Sequence, residues 1–311
     1  MTPQVEVGLN AVIVAVTEEI PRILTLRVED GRGSLQAALP YGPLDVAGDS
    51  TLELGLRRWV EEQTGIRPGY AEQLYTFGDR NRDHGDARLL SVAYLALVRE
   101  QAPPVAAAHW SNWYAFLPWE DWREGRPVVL DRDILPALGR WTDSSPRDRS
   151  LRRERIEVCF GWGGAPWNWE RVLERYELLF EAKLVPEAWR GQSTHHHSGG
   201  PKLGRTMFLD HRRILATSLD RLRGKLKYRP VVFELLPPEF TLLQLQRLVE
   251  ALEGLRLHKQ NFRRLVERAG LVEGTSHLHT QTGGRPAELF RFRKEVLKER
   301  PAPGVGLPGV S

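Results

Sequence analysis

The chain has 311 residues, a length that predicts two domains rather than one hydrophobic core. Hydrophobic residues make up 41% and charged residues 27% of the sequence, which is typical of globular proteins. No run approaches the roughly 20 uncharged residues of a membrane span, and the N-terminus lacks the basic-then-apolar layout of a signal peptide. The single cysteine, Cys159, excludes an internal disulfide. We therefore expect a cytoplasmic protein that makes no membrane contact.

The formal net charge of +4 is distributed unevenly. Residues 201–311 contain 21 Lys and Arg against 11 Asp and Glu, whereas residues 1–200 contain 23 against 29. A basic segment joined to an acidic one is typical of a polyanion-binding module attached to a domain with another task. A merely solvated basic face would give the same counts, so a motif is needed to choose between the two interpretations.

The N-terminal part alternates between strand and helix patterns. Stretches rich in β-formers at 7–16 and 23–28 predict two strands joined by a turn. An apolar stripe at 51–63 predicts a helix, and residues 89–98 and 113–117 predict two more strands. This alternation indicates a mixed α/β domain.

The middle of the chain is rich in tryptophan, because nine of the ten tryptophans fall between Trp110 and Trp189. Helical spacing at 169–182 predicts a helix whose apolar stripe packs in the core or at a subunit interface. Residues 191–204, rich in Ser, His and Gly, predict a loop or linker. Residues 301–311 predict a disordered tail.

The C-terminal third begins with a predicted amphipathic helix at 210–228, whose end is strongly basic. A short strand is predicted at 231–236. Thr241 and Gln244 form a capping box that opens a second helix, and Gly254 ends that helix. A third helix follows at 258–269.

In this third helix the apolar residues recur at i, i+3, i+4 and i+7 from Phe262, so one face packs against the second helix. The opposite side carries the cationic and amide side chains that phosphate contact and base reading in the major groove require. Strands at 271–273 and 288–293 follow, joined by a loop at 274–287. The order helix, strand, helix, helix, strand, wing, strand predicts a winged helix-turn-helix that binds duplex DNA.

The side chains expected to contact DNA lie at the end of the first helix, at the start of the second, on the third helix and in the wing. They are Lys225, Arg229, Thr241, His258, Lys259, Gln260, Asn261, Arg263, Arg264, Gly284 and Arg285. Gly284 permits close backbone approach, and Arg285 supplies a charge for phosphate or the minor groove. A winged helix used only for protein contact is the alternative, and the basic third helix argues against it.

Residues 39–66 resemble a Nudix box, G-x5-E-x7-R-E-U-x-E-E-x-G-U, in which U is aliphatic. With the register fixed on Gly65, Arg58 takes the place of the arginine and Glu62 that of the first paired glutamate. Such a box is a loop and helix whose carboxylates hold magnesium against a nucleoside diphosphate.

Three positions depart from the pattern. Trp59 and Gln63 replace two of the glutamates, and Ser50 stands in place of the upstream one. Magnesium demands several oxygen ligands, and a tryptophan supplies none. A register slid by one residue recovers a glutamate pair but loses the glycine. We therefore predict no pyrophosphatase activity, no catalytic residue and no metal site; the adjacent histidines of the linker, His195, His196 and His197, are expected to be solvated.

Residues 74–98 resemble the segment that follows the box in ADP-ribose-type Nudix proteins, where an Arg-Asp pair lies beside the ligand. Arg82, Asp83 and Arg88 match that segment. The resemblance therefore implies an effector-binding site at Gly42, Arg58, Glu62, Arg82, Asp83 and Arg88.

Taken together, these segments resemble the Nudix-related transcriptional regulators of NAD metabolism, in their longer alphaproteobacterial branch. The resemblance covers about residues 1–135 and 205–300, with close matches at 222–225, 235–246, 261–264 and 284–289. It implies a repressor of genes for NAD synthesis or salvage that binds a palindromic operator as a homodimer. NAD, ADP-ribose or ATP is the implied effector, and no catalytic cofactor is expected.

The expected fold class is α/β (α+β). A Nudix-like α/β/α sandwich is expected at 1–135, a mostly helical Trp-rich insert and linker at 136–204, a winged helix-turn-helix at 205–300 and a disordered tail at 301–311. An active Nudix hydrolase of ADP-ribose or another nucleoside diphosphate derivative is the enzyme alternative. A pure interaction scaffold is the third.

Overall fold

The computed structural model describes residues 5–29, 33–79, 88–102, 105–190, 203–280, 286–299 and 304. The strands are β1 (Val5–Thr17), β2 (Ile20–Glu29), β3 (Leu35–Ala38), β4 (Tyr41–Pro43), β5 (Tyr70–Phe77), β6 (Arg88–Leu97), β7 (Ala108–Asn112), β8 (Val272–His279) and β9 (Ala287–Phe292). The α-helices are α1 (Leu52–Thr64), α2 (Leu135–Asp143), α3 (Arg149–Phe160), α4 (Val172–Glu181), α5 (His211–Leu226), α6 (Leu242–Glu253), α7 (Lys259–Ala269) and α8 (Val296–Glu299). Among these described segments, no helix is both long enough and apolar enough to cross a membrane.

One mixed sheet of seven strands forms the N-terminal unit, in the order β3-β2-β1-β6-β5. The long strands β1 and β6 pair in parallel, while β4 pairs with β1 and β7 with β2. Glu18 and Glu19 join β1 to β2 with φ angles of 52° and 60°, the two positive values that a tight hairpin with right-handed strand twist requires. The predicted strands at 7–16, 23–28 and 89–98 are confirmed.

A helix covers each face of this sheet. Alternate side chains of β1 point to opposite faces, as a period of two dictates. Leu9, Ala11, Ile13 and Ala15 pack with Leu56 and Val60 of α1, whereas Val12 and Val14 belong to the core that contains α5. The predicted first helix of the C-terminal domain, α5, is therefore also a layer of the sandwich.

The start of α5 is held to the sheet by a buried histidine. His211 is 1% exposed, and its Nδ1 accepts a hydrogen bond from the backbone N–H of Leu39 at 3.0 Å. Its Nε2 lies 3.1 Å from the side-chain amide of Asn10. His211 therefore connects the start of α5 to β1 and to the residue that follows β3.

The Trp-rich insert is helical at α2, α3 and α4, and α4 packs along α5. A π-helical turn, Leu130–Ile134, runs directly into α2, so the domain boundary expected at residue 135 falls inside a continuous helical segment. Trp122, Trp167 and Trp169 form an aromatic cluster with ring centroids 4.6 to 6.1 Å apart. The expected linker lies outside the described residues at 191–202, and the expected tail does so at 301–311 except for Gly304.

Two predicted strands are wrong. Residues 113–115 form a 3-10 turn because the Asn112 side chain accepts the Tyr114 N–H at 2.9 Å and turns the chain. Val231–Leu235 is also a 3-10 helix. The residue that pairs with the C-terminal hairpin is instead Phe240, which exchanges two backbone hydrogen bonds with Phe290 of β9 at 2.9 and 2.8 Å. Pro237 and Pro238 just before it lack the N–H groups that a longer ladder needs.

Candidate nucleic-acid interface and effector site

The helix-turn-helix begins at the predicted capping box. Thr241 Oγ1 accepts the N–H of Gln244 at 3.1 Å, and Gln244 Oε1 accepts the N–H of Thr241 at 2.7 Å. Gly254 ends α6 in the left-handed conformation with φ of 76°. The box and the terminating glycine are both confirmed, and together they fix where the turn between the two helices starts.

A buried glutamate holds the turn between α6 and α7. Glu250 is 1% exposed, and its carboxylate accepts the Leu257 N–H at 3.0 Å, the Gln246 amide at 2.8 Å and the Arg256 guanidinium at 3.1 Å. Burial by itself raises the pKa of Glu250, but these donors lower it overall. The carboxylate therefore holds the turn against α6 just before α7 begins.

Helix α7 has the two faces that its sequence predicts. Phe262 and Val266 are 1% and 0% exposed and pack in the core. The exposed side brings together the predicted DNA-binding residues Lys259, Gln260, Asn261, Arg263 and Arg264. An α-helix with its side chains is about 10–12 Å in diameter and the major groove is about 12 Å wide, so α7 can lie in the groove.

The N-terminus of α7 is open. His258 is exposed at the N-cap position and makes no side-chain capping bond. The first N–H groups of an α-helix lack partners within the helix and carry its positive dipole end, so they suit a phosphate oxygen.

The other residues predicted to bind DNA are placed differently. Lys225 forms an ion pair with Glu72 and a 2.9 Å hydrogen bond with the Tyr70 hydroxyl. Thr241 is 6% exposed, and its hydroxyl is used in the capping box. Arg229 is exposed. Gly284 and Arg285 lie outside the described residues.

The C-terminal hairpin is longer than the sequence predicts. β8 and β9 pair from Val272 opposite Phe292 to His279 opposite Ala287, with an irregularity between Gly274 and Leu278. The predicted loop at 274–287 is therefore wrong in its first part, because residues 274–279 belong to β8. Ser276, with φ of 62°, absorbs the irregularity and lets the strand continue.

At the Nudix-like box, a tryptophan occupies the space beside the loop. The Trp59 indole lies against Gly42, where an added Cβ would be 2.2 Å from the ring, and it donates to the Pro43 carbonyl at 2.7 Å. One turn later the Gln63 amide bonds both the N–H and the C=O of Tyr41, at 3.0 and 2.7 Å. The α1 face toward β4 thus presents an indole and an amide, which does not fit a magnesium ion.

The charged residues of the box are engaged with one another. Arg58 donates to both carboxylate oxygens of Asp49, at 3.1 and 2.9 Å, which lowers the pKa of Asp49. Glu62 is 52% exposed and lies 3.6 Å from Arg58. Arg88 donates to the Gly78 carbonyl. The structure thus brings Gly42, Arg58 and Glu62 together around α1, while Arg82 and Asp83 lie outside the described residues.

Sequence reasoning missed a buried ionic cluster, Glu120 with Arg175 and Arg223, all 0% exposed. Glu120 accepts from Arg175 at 2.6 and 2.8 Å and from Arg223 at 2.7 Å. Burial raises the pKa of Glu120, but the two guanidiniums lower it overall. The predicted basic end of α5 is therefore partly internal, because Arg223 points into the protein.

This cluster joins the units of the chain. Arg175 also donates to the Cys159 and Asn168 carbonyls of the insert at 3.1 and 2.7 Å. Arg223 donates to the Leu252 carbonyl at the end of α6 at 3.2 Å. Glu120 follows the sheet, so one carboxylate connects the sandwich, the insert, α5 and the helix-turn-helix. Its partners lie 55 and 103 positions away, a separation that gives no periodic signal in sequence.

Residues 232–292 match the family described as the NrtR DNA-binding winged helix domain. The ADPR responsive transcriptional repressor NtrR of Acinetobacter baylyi is 35% identical over 120 residues. That match covers 37% of this chain and 48% of the relative, so the chain spans about half of that relative's length.

Solved structures share the fold along most of the chain. Shewanella oneidensis NrtR complexed with a 27mer DNA is 20% identical, with a TM-score of 0.57 over 94% of this chain and 95% of that chain. A MutT/nudix family protein from Enterococcus faecalis is 16% identical, with a TM-score of 0.56 over 94% of this chain and 88% of that chain. The expected fold class, a Nudix-like sandwich with a winged helix, is confirmed.

Proposed function

We propose that this protein is a DNA-binding transcriptional repressor controlled by a nucleotide effector, since residues 232–292 match the family described as the NrtR DNA-binding winged helix domain. One observation carries the proposal: the exposed face of α7 concentrates Lys259, Gln260, Arg263 and Arg264 around an open helix N-terminus. Long cationic and amide side chains at that position suit phosphate contact and base reading. In the described part of the chain, Lys259 and Arg263 have no carboxylate partner that would neutralise them.

ADP-ribose is the effector that we propose first, because the relative from Acinetobacter baylyi is described as ADPR responsive. NAD and ATP share its adenosine and phosphate groups and remain candidates. We place the effector at Gly42, Arg58, Glu62 and Arg88 of the Nudix-like sandwich, and the sequence resemblance adds Arg82 and Asp83. Trp59 covers Gly42, so binding there requires the indole to move or to stack on the ligand.

We further propose that the protein represses genes of NAD synthesis or salvage, as the sequence resemblance implies, and that it does so in the cytoplasm. A homodimer would place two copies of α7 about one DNA turn apart, so the operator is proposed to be palindromic. No catalytic cofactor is needed for this activity.

Fluorescence anisotropy with the promoter duplex of the organism's NAD-synthesis operon tests the proposal. Arg263→Ala and Arg264→Ala should each weaken binding by about 1–3 kcal/mol if the side chains contact bases. Arg149→Ala, which removes an exposed charge from α3, is the matched control and should leave affinity unchanged. Wild-type affinity in both α7 variants would contradict the assignment of α7 as recognition helix.

The effector is tested by titrating the same complex with ADP-ribose, NAD and ATP. A change in DNA affinity with one of them and not with adenosine supports a nucleotide effector. No response to any of the three would contradict the regulatory half of the proposal and leave the DNA-binding half standing.

The enzyme alternative is an active hydrolase of ADP-ribose or a related nucleoside diphosphate derivative. The indole of Trp59 and the amide of Gln63 argue against it, because the helix face that should supply carboxylates lacks them. Magnesium-dependent turnover of ADP-ribose that is abolished by Glu62→Gln would establish the alternative. A pure scaffold would show no salt-dependent affinity for any duplex.

A further inference from the structure

A groove of about 830 Å³ lies between the sandwich and the winged helix. Its walls come from the start of β5, the end of β6, the end of α5, the 3-10 helix Val231–Leu235 and the end of β9. Pockets that hold small organic ligands have volumes of about 300–1,000 Å³, so the groove is large enough for a nucleotide.

The groove is strongly cationic. Five cationic residues line it, Arg99, Lys225, Arg229, Arg291 and Lys294, and Glu234 is the single carboxylate among the described lining residues. Lys225 is paired with Glu72 and Arg291 with Glu273, both outside the lining. The exposed Arg99, Arg229 and Lys294 have no carboxylate partner in the ranges that the structure describes. Three uncompensated cations around one groove attract a multiply charged anion.

The charges are close enough to affect one another. Burial lowers the pKa of Lys225, and the Arg229 charge lowers it further. A bound anion would relieve that repulsion, because it places negative charge beside both groups.

Aromatic and proline side chains form the apolar part of the groove. Phe233 and Phe292 stack with centroids 4.4 Å apart and 23° between their planes, and both are half-buried. Pro230, Pro237 and Pro238 also line the groove, and their fixed φ angles make this wall rigid. A planar heterocycle packs well on such a surface, whereas a simple inorganic anion gains nothing from it.

We infer that this groove binds a nucleotide with a diphosphate or longer phosphate group, with the phosphates toward Arg99, Arg229 and Lys294 and the base toward Phe233 and Phe292. The site is separate from the proposed effector site at α1. Because its walls belong to both units, a bound nucleotide would link the sheet to the winged helix. That regulatory consequence rests on the proposed function, whereas the binding itself does not.

Isothermal titration calorimetry of the full chain without DNA tests the inference, with ADP, ADP-ribose and inorganic pyrophosphate as probes. The double variant Arg229→Ala/Lys294→Ala should weaken ADP binding by about tenfold or more per lost cation, since each removes a charged contact. Arg149→Ala/Arg153→Ala removes the same charge from α3 and should have no effect. Both changed pairs are at the surface, and thermal unfolding checks that each variant is folded.

Three results of these titrations would overturn the inference. Equal ADP affinity in the groove variant and the wild type shows that the groove holds no nucleotide. If Arg58→Ala abolishes ADP binding and the groove variant does not, the ligand binds at α1 instead. Pyrophosphate binding as tightly as ADP shows an anion site without base recognition.

The DNA assay separates this inference from the proposed function. If the groove variant loses the same DNA affinity with and without ADP, its cations hold DNA phosphates, and the regulatory consequence of nucleotide binding in the groove is wrong. If no duplex is bound by any variant while ADP still binds in the groove, the proposed function fails and the inference stands.

Discussion

Glu120→Gln is the sharpest test of the buried ionic cluster. The substitution keeps the shape of the side chain and removes the carboxylate charge that Arg175 and Arg223 both contact. Breaking a fully buried ion pair on one side costs about 3–5 kcal/mol, because the remaining charge is left without its partner. Since glutamine still accepts one hydrogen bond, we expect a loss of about 3 kcal/mol.

Urea unfolding followed by tryptophan fluorescence measures this loss. With a slope of about 3 kcal/mol per molar urea, the midpoint should fall by about 1 M. Glu62→Gln is the matched control, because Glu62 is 52% exposed and its ion pair contributes less than about 1 kcal/mol. A midpoint change for Glu120→Gln as small as that of the control would refute the role given to the cluster.

The effect of Glu120→Gln on stability should also depend on pH, in a direction that the pKa of Glu120 fixes. The pKa of Glu120 is lowered from 4.5 in the folded protein, so its contribution is present above pH 4.5 and disappears as the pH falls through the folded value. The stability difference between wild type and Glu120→Gln should therefore be full at neutral pH and shrink below pH 4.5. A difference that grows on acidification would contradict the ionised state assigned to Glu120.

Further predictions concern the helix-turn-helix and its supports. Burial raises the pKa of Glu253 from 4.5 to about 7, so the folded protein loses stability as the pH rises through 7. Glu253→Gln should therefore raise the Tm at pH 8 and leave it unchanged below pH 4.5. An equal gain in Tm at both pH values would contradict the raised pKa. Thr241→Ala should lower the free energy of unfolding in urea by about 1 kcal/mol, and Thr241→Ser should lower it much less. Equal stability of Thr241→Ala and the wild type would show that the capping box does not contribute. Gly254→Ala forces a Cβ to 2.3 Å from the Glu120 carbonyl at φ of 76° and should cost more than about 1 kcal/mol. Gly139→Ala in the open interior of α2 should instead stabilise the protein by about 0.5–1 kcal/mol.

Local signals in the sequence were sufficient for the helix-turn-helix. The capping box at Thr241, the terminating Gly254 and the apolar spacing from Phe262 act within a few residues of one another, so the sequence pattern contains the information. The same holds for α1, whose N-cap Thr51 accepts the Leu54 N–H at 3.1 Å.

Contacts between distant segments could not be predicted. The sequence predicts a basic end for α5 but does not separate Arg223, which is buried against Glu120, from the other cations there. The apolar run at 231–236 has strand composition, yet the flanking prolines and the pairing at Phe240 leave it as a 3-10 helix. Arg99 and Lys294 share a groove, although nothing in the sequence connects them.

The double use of α5 has a practical consequence for dividing this protein. A DNA-binding fragment cut at residue 205 would carry α5 without its sheet, so the side chains of Ile214, Leu215, Leu219 and Leu222, each 0% exposed in the full chain, would face water. A fragment that ends before residue 205 would leave the opposite face of the sheet uncovered. Chimaeras that exchange sensor and DNA-binding units with other proteins should therefore be joined after Leu226, so that the sandwich keeps its second helix.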